Sequence, residues 1–193
     1  MSRRKIIVHL ATSADGFIAR KDGAVDWLDR PSPKGDYGMG KFFQSIDTII
    51  MGRKTYDVAV RFVKEGKPIP SMGGIKQYVF SRKAAPRKAL PGFEFINEPI
   101  KSFARRLRGQ KGKDIWMMGG AGIIGSFLDA GAIDEFSIHV IPTLIGEGIP
   151  LIAPQRRTTE LKLISTKNFP DGVVRLHYAI AEQGQSPSAR SRK

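Results

Sequence analysis

Short apolar runs rich in β-branched residues recur along the chain and alternate with segments whose apolar residues have helical spacing. Such runs predict strands, and their alternation with helices is typical of an α/β domain. The predicted strands are Lys5–Ala11, Thr48–Met51, Gln77–Phe80, Glu94–Ile96, Asp114–Met118 and Glu135–Ile141.

Four segments between these strands predict helices. The clearest two carry apolar stripes, one at Ile100, Phe103, Ala104 and Leu107 and one at Ile123, Ile124, Phe127 and Leu128. Weaker patterns predict helices over Tyr37–Ser45 and Thr55–Val63. Residues 23–40 and 64–74 are rich in Gly and Pro, and loops of this length are often binding loops, with disorder as the alternative.

The C-terminal part of the chain has a different pattern. Glu160–Asn168 and Val173–Ala181 flank the turn sequence Phe169–Gly172, which predicts an antiparallel hairpin added to the sheet. The Gln-, Ser- and Arg-rich end of the chain is typical of disorder. Since 193 residues suit one domain, we predict that domain over residues 1–181 and a disordered basic tail over residues 182–193.

Composition limits the chemistry that the chain can carry. It contains no cysteine, which excludes disulfides, zinc–thiolate sites, iron–sulfur clusters and a cysteine nucleophile, and which fits a reducing compartment. The early apolar run Ile6–Ala11 is too short for a signal-peptide core or a membrane span. We therefore expect a cytoplasmic protein with no membrane partner.

The formal net charge of +14 suggests a nucleic-acid partner at first sight. Four clusters without any acid hold half of the 32 Lys and Arg residues, and two of these clusters lie at the chain ends. The rest of the chain is close to neutral, so a specific nucleic-acid partner is not expected. Polyanion binding by the basic helix face at Lys101, Arg105, Arg106 and Arg108 remains an alternative function.

A glycine-rich turn at residues 120–125 has the spacing G-x-G-x-x-G, with a predicted strand before it and a predicted helix after it. Glycines let the backbone approach a pyrophosphate, and a helix N-terminus stabilises its charge. A Rossmann unit is disfavoured, because its fingerprint opens the domain and an acid ends the next strand. Here the motif comes late, and the next strand runs into Ile141–Thr143.

Two further turns follow predicted strands and offer phosphate-binding groups. Gly52–Thr55 contains two cations and a hydroxyl, and Ser81 precedes Arg82. Arg offers a planar fork for phosphate and Lys a point charge, although each turn alone could be a helix cap with solvated charges. The carboxyl ends of strands are where an open α/β sheet binds ligands. NADPH, with a pyrophosphate and an extra phosphate, would use all three turns.

The histidines and acids do not predict a metal site. His9, His139 and His177 all lie in strand patterns far apart in sequence, so packing is the expected role of each. No spacing of His, Asp and Glu residues is typical of metal ligation, and no G-x-S-x-G motif indicates a hydrolase.

A series of segments, taken in order, resembles one known group of proteins. They are Ala11–Ile18, Asp26–Leu28, Met51–Tyr56, Tyr78–Arg82, Met118–Gly122 and Ile133–Gly148. They are similar to the dihydrofolate reductase-like superfamily, and most of all to the C-terminal reductase domain of the bifunctional riboflavin-biosynthesis deaminase/reductase and its stand-alone relatives. The resemblance covers about residues 5–181.

The resemblance implies a three-layer α/β fold, with a mixed, mostly parallel sheet, a C-terminal antiparallel hairpin and helices on both faces. It also implies a homodimer and NADPH as hydride donor. By position, the adenosine-side phosphates would contact Gly52, Arg53, Lys54 and Thr55, the 2′-phosphate Ser81 and Arg82, and the nicotinamide Ala11. The pyrophosphate would contact Gly119, Gly120, Ala121, Gly122, Ile123 and Ile124.

The chain departs from dihydrofolate reductases where these place the carboxylate that binds the pterin, since Met39 or Gly40 stands there. Asp15 and Asp36 are the candidates for substrate binding and for the proton donor, with a water as the alternative. Without cysteine the chain cannot hold the zinc site of the deaminase half. We expect an NADPH-dependent reductase of a small heterocyclic or sugar-linked substrate, resembling the uracil reductase of riboflavin biosynthesis. Reduction of another pteridine or carbonyl substrate is the alternative.

Overall fold

The computed structural model describes residues 3–29, 35–66, 73–155 and 158–181. Ten strands occur in these ranges, and eight of them form one sheet through the middle of the molecule. The strands are β1 (Ile6–Ser13), β2 (Phe17–Ala19), β3 (Ile46–Gly52), β4 (Lys76–Phe80), β5 (Phe93–Ile96), β6 (Asp114–Gly119), β7 (Glu135–Ile141), β8 (Ile149–Pro150), β9 (Leu161–Asn168) and β10 (Val174–Ile180). All six strands predicted before the hairpin are confirmed, and β7 has the predicted bounds.

The sheet is mixed and mostly parallel. Its strand order is β5-β4-β3-β6-β1-β7-β10-β9. The first six strands run parallel to one another, β10 runs antiparallel to β7, and β9 runs antiparallel to β10. The predicted C-terminal hairpin is therefore confirmed and extends one edge of the sheet.

In the described part of the chain, four α-helices cover the two faces of the sheet. They are α1 (Met39–Ser45), α2 (Arg53–Lys64), α3 (Ile100–Arg108) and α4 (Ala121–Asp129), and a short 3₁₀ turn spans Asp26–Leu28. The apolar stripes of α3 and α4 pack with Ile50 and Met117 in the larger core. On the opposite face Tyr56 of α2 and Phe42 and Phe43 of α1 pack on Trp116 and its neighbours. This arrangement confirms the three-layer α/β fold.

Two short strands were not predicted. Phe17–Ala19 and Ile149–Pro150 pair as a separate antiparallel ribbon outside the main sheet. Within the ranges that the structure describes, no helix is long and apolar enough to cross a membrane. The proposed tail at 182–193 lies outside the described residues, so the division into one domain and a tail stays a prediction.

A buried arginine ties together the amino ends of the strands. Arg4 is 6% exposed. Its guanidinium donates to the backbone oxygens of Lys113 and Leu107, to the Thr48 hydroxyl and to the Asp47 carboxylate. These bonds join Arg4, two residues before β1, to β3, to the end of α3 and to the residue before β6. Hydrogen bonds to protein groups thus compensate the buried Arg4 charge for the water that it loses on burial.

Candidate active site

The three predicted phosphate-binding turns come together at the carboxyl edge of the sheet. β3 lies between β4 and β6, and in register Gly52 stands beside Phe80 while Met51 stands beside Gly119. Ser81 directly follows β4, and its backbone N–H donates to the Ile96 oxygen at 3.1 Å. Turns far apart in sequence therefore form one continuous edge. Their contact with a cofactor stays a prediction.

Two helix starts face each other at this edge. α2 begins after Gly52 and α4 begins after Gly120, and no side-chain hydrogen bond caps either N-terminus. The first N–H groups of a helix have no partner within the helix, so both ends can bind an anion. A Cβ at Gly120 would lie 3.5 Å from the Thr55 hydroxyl and 3.8 Å from Ile18. The glycine backbone therefore leaves room between the helix starts that a side chain would occupy; the Gly119–Gly120 peptide is cis.

Basic side chains lie on the β4–β5 side of this edge. The Arg53 guanidinium lies 5.7 Å from the centre of the Phe95 ring on β5, and its Nε donates to Asp57 at 2.8 Å. Lys54 and Arg82 are exposed. β5 is one of the two edge strands and pairs with β4, so Arg53 and the turn after β4 lie at the same end of the sheet order.

Asp15 holds the loop after β1 to the loop after β7. Its carboxylate accepts hydrogen bonds from the Ser13 hydroxyl at 2.5 Å and from the backbone N–H groups of Ile145 and Gly146, the latter at 2.7 Å. The Ser13 bond, followed by the backbone bonds, lowers the pKa of Asp15. A carboxylate held in this form is an acceptor, which argues for positioning the loops rather than for donating a proton.

The Asp36 carboxylate accepts backbone hydrogen bonds at the start of α1. Its two oxygens accept from the backbone N–H of Gly38 at 2.8 Å and of Gly40 at 2.9 Å. These bonds lower the pKa of Asp36, with the Gly38 bond the largest cause. Asp36 lies two residues before Gly38, the N-cap of α1, and fixes the chain as it enters the helix. The role of either carboxylate in substrate binding stays a prediction.

Two of the three histidines meet under α1, which sequence reasoning missed. His9 on β1 and His139 on β7 have ring centroids 5.0 Å apart. The register of β1 and β7 places His139 beside Ala11, so this pair lies next to the predicted nicotinamide position. His177 on β10 is the register partner of Ser137, which is itself beside His9, and it bonds to Glu135 at 2.8 Å. The only available signal was the strand pattern of each histidine, because pairing of β1 with β7 is a long-range property.

Burial keeps both of these imidazoles neutral. Desolvation, with smaller effects from His139, Arg175 and His177, lowers the pKa of His9 to about 3. Desolvation also lowers the pKa of His139, whose Nε2 lies 3.2 Å from the Tyr37 carbonyl oxygen. Among the described residues no group of three or more His, Asp and Glu side chains is arranged to hold a metal ion.

Comparison with protein families gives one clear match. Residues 4–175 fit the family model described as the RibD C-terminal domain. The uncharacterized protein YwjB of Bacillus subtilis is 40% identical over 178 residues, which cover 92% of this chain and 99% of YwjB. The riboflavin biosynthesis protein RibD of Corynebacterium ammoniagenes is 26% identical over 79% of this chain and 47% of its own length.

Solved structures show the same fold. A protein of Shewanella sp. PV-4 that is assigned to riboflavin biosynthesis has a TM-score of 0.78 and 25% identity, over 92% of this chain and 99% of its own. The Thermotoga maritima diaminohydroxyphosphoribosylaminopyrimidine deaminase/5-amino-6-(5-phosphoribosylamino)uracil reductase has a TM-score of 0.67 and 15% identity. That match covers 93% of this chain and 57% of the Thermotoga chain, so it supports the fold alone.

Proposed function

Because the chain belongs to the RibD C-terminal domain family, we propose that it is a reductase that uses NADPH to reduce a small heterocyclic or sugar-linked substrate. The family supports the oxidoreductase class. The observation that best supports NADPH as the cofactor is that two uncapped helix starts and a basic turn meet at one sheet edge. Anionic phosphates fit such an edge, since free N–H groups and helix dipoles both favour negative charge.

Different residues of the chain would contact different parts of NADPH. The starts of α2 and α4 would take the phosphates, and Arg53 with Ser81 and Arg82 would take the 2′-phosphate that distinguishes NADPH from NADH. Ala11 would lie against the nicotinamide. When bound, NADPH supplies the hydride.

The reduction adds two hydrogens to one double bond. A hydride adds to the carbon of a C=O or C=N group, and a proton adds to its oxygen or nitrogen. Asp15 and Asp36 are ionised acceptors, and His9 and His139 are neutral, so we propose that a water delivers the proton. The protein then contributes orientation and exclusion of bulk water.

The uracil reductase reaction of riboflavin biosynthesis is the first activity to test. The RibD C-terminal domain family and the similarity to the riboflavin biosynthesis protein RibD support a substrate from that pathway. No carboxylate stands at Met39 or Gly40, which argues against dihydrofolate as the substrate. Another pteridine or a carbonyl compound is the alternative substrate.

Polyanion binding is supported less well. Of the basic residues on α3, Arg106 bonds to Glu98, and Arg108 bonds to Asp134 at 2.6 Å and to a backbone oxygen. These partners neutralise part of the charge that a polyanion would require. Lys101 and Arg105 are exposed.

We also propose a cytoplasmic homodimer, as the family resemblance implies. Leu161, Leu163 and Ile164 of the edge strand β9 are large apolar residues that are exposed, at 42%, 52% and 49%. Exposed apolar patches of this kind often mark contacts between subunits. Sedimentation equilibrium tests this proposal, since a dimer has twice the 21.3 kDa of the chain.

Calorimetric titration of NADPH and NADH into the protein tests the proposed function. We expect saturable NADPH binding that is tighter than NADH binding. Arg53→Ala should weaken NADPH binding by about tenfold or more and reduce the preference over NADH, because a charge-assisted phosphate contact is lost. The exposed Arg105→Ala is the matched control and should bind NADPH like the wild type. Failure of the wild type to bind either nucleotide would overturn the proposed function.

A further inference from the structure

The side chains around His9 and His139 form a polar floor under α1 that the cofactor would not use. The two histidines are 4% and 6% exposed. Arg175 of β10 is the register partner of His139. Its guanidinium reaches the start of α1, because a Cβ at Gly38 would lie 3.8 Å from Arg175 Nη1. Three neighbouring strands thus bring two imidazoles and a guanidinium together.

Part of the hydrogen-bonding capacity of this floor is unused. Within the described residues, the buried atoms His9 Nδ1 and Arg175 Nε have no hydrogen-bond partner. Leaving a buried polar atom without a partner costs folding free energy, and such atoms are rare outside functional sites. A ligand that satisfies them would therefore gain affinity.

The charges of this floor disfavour a cationic ligand. The nearby carboxylates are already engaged, since Glu135 bonds to Lys5 and His177, Asp36 bonds to backbone N–H groups, and Asp171 accepts from the Tyr37 hydroxyl. The imidazoles are neutral, so each offers one donor and one acceptor, and Arg175 adds donors only. The set suits a neutral or anionic ligand that is rich in acceptors.

The surrounding side chains are suited to a flat ring. Phe42 of α1 stacks on His9 with ring centroids 3.8 Å apart and an interplanar angle of 12°. The Tyr37 and Phe169 rings lie beside His139. None of the seven α1 residues is buried, and Tyr37, just before α1, has a φ of +53°, which is unfavourable for a bulky residue. A planar ligand at this position would replace the Phe42 ring, which also contacts Trp116 with ring centroids 5.6 Å apart.

We propose that His9, His139 and Arg175 are the substrate-recognition residues for a planar, oxo-substituted nitrogen heterocycle of the pyrimidine class. The carbonyl oxygens of the ring accept hydrogen bonds from Arg175 and from imidazole N–H groups, and its ring N–H donates to an imidazole nitrogen. The ring takes the stacking position on His9 that Phe42 now occupies. This site rests on the proposed function, since Ala11 next to His139 would bring the nicotinamide to the same ring.

Histidine NMR tests the contact directly. The chain has three histidines, so the imidazole region contains three sets of resonances. Each set is assigned by its loss in one of the single His→Asn variants. We add 5,6-diaminouracil to protein saturated with NADP⁺. The resonances of His9 and His139 should shift saturably, and those of His177 should stay in place.

Binding measurements with matched variants give the second readout. His9→Asn and His139→Asn should weaken 5,6-diaminouracil binding by about tenfold or more, as expected when a buried hydrogen-bond partner is lost. Both should bind NADPH as tightly as the wild type. His177→Asn is the matched control and should bind both ligands normally. Dihydrofolate should bind more weakly than the uracil.

The possible failures are distinguishable. If NADP⁺ does not bind, the proposed function fails, and the uracil titration is made on the free protein. If NADP⁺ binds but the uracil shifts no histidine resonance, or shifts His177 alone, the recognition site is wrong. The recognition site would also be wrong if the His9 and His139 variants bound 5,6-diaminouracil within twofold of the wild type. Tighter binding of dihydrofolate than of 5,6-diaminouracil would overturn it as well.

Discussion

Some side chains at the carboxyl edge position the loops, and others are available to bind a ligand. Asp15 bridges two loops through the Ser13 hydroxyl and the N–H groups of Ile145 and Gly146. Its sequence position beside a predicted nicotinamide site suggested chemistry. Its hydrogen bonds instead make it a loop-positioning residue.

Replacing Asp15 by Asn should therefore reduce stability in a pH-dependent way. The pKa of Asp15 is lowered from its ordinary 3.8 in the folded protein, so its contribution is complete above pH 3.8 and is lost as pH falls through the lowered pKa. Differential scanning fluorimetry should show a lower Tm for Asp15→Asn near neutral pH and a difference that shrinks in acid. The exposed Asp29→Asn is the control. Equal Tm values for Asp15→Asn and wild type at neutral pH would contradict the assignment.

Residue-level chemistry was predictable only where local sequence carries it. Gly52, Gly119 and Gly120 stand in turns whose strand-to-helix context is visible in the chain itself. Asp36 could not be interpreted this way, because its bonds to Gly38 and Gly40 depend on how the chain enters α1. The meeting of His9 and His139 depends on pairing across 130 residues and was out of reach.

Among the elements, the starts of α2 and α4 bear most on function. Their separation depends on glycine at position 120, where a methyl group would contact Thr55 and Ile18 at ordinary van der Waals distances. Such a methyl group fits the protein but fills the space between the two helix starts.

Gly120→Ala should therefore fold and yet bind nucleotide poorly. We expect an NADPH affinity lower by about tenfold or more, since the backbone could no longer approach the pyrophosphate closely. Calorimetry gives the affinity, and circular dichroism checks the fold. Gly73→Ala, at a position with open space around it, is the control and should bind like the wild type. Unchanged affinity in Gly120→Ala would remove α4 from the binding site.

The elements themselves were largely predictable, because period-two and helical patterns are local signals. The helices α1 and α2 differ from the predicted spans by two residues or fewer at each end. The ribbon of β2 and β8 was missed for a physical reason. Strands of three and two residues are too short to show alternation, and their pairing joins distant loops.

On the scale of the whole molecule, the two edges of the sheet have different chemistry. The amino edge is held by Arg4, whose bonds to Leu107, Lys113, Thr48 and Asp47 connect four parts of the chain. The carboxyl edge carries glycine turns and exposed cations.

Arg4→Met should lower global stability without touching the candidate site. Removing the buried guanidinium takes one donor each from two carbonyls, a hydroxyl and a carboxylate, which costs about 3 kcal/mol. Urea denaturation should show this as a lower midpoint with an unchanged slope. The control is Arg3→Met, since the Arg3 side chain is 63% exposed in its ion pair with Asp134 and such pairs contribute about 1 kcal/mol at most. Similar midpoints for the two variants would show that Arg4 is dispensable.

The position of Arg4 has an evolutionary consequence. Because the buried Arg4 anchor lies at the edge opposite the candidate site, changes in side chains at the carboxyl edge leave the Arg4 hydrogen bonds untouched. A lineage could replace His9 or His139, acquire a new substrate and keep the same nucleotide and the same framework. Descendants of one ancestral reductase would then diverge in what they reduce long before they diverge in how they fold.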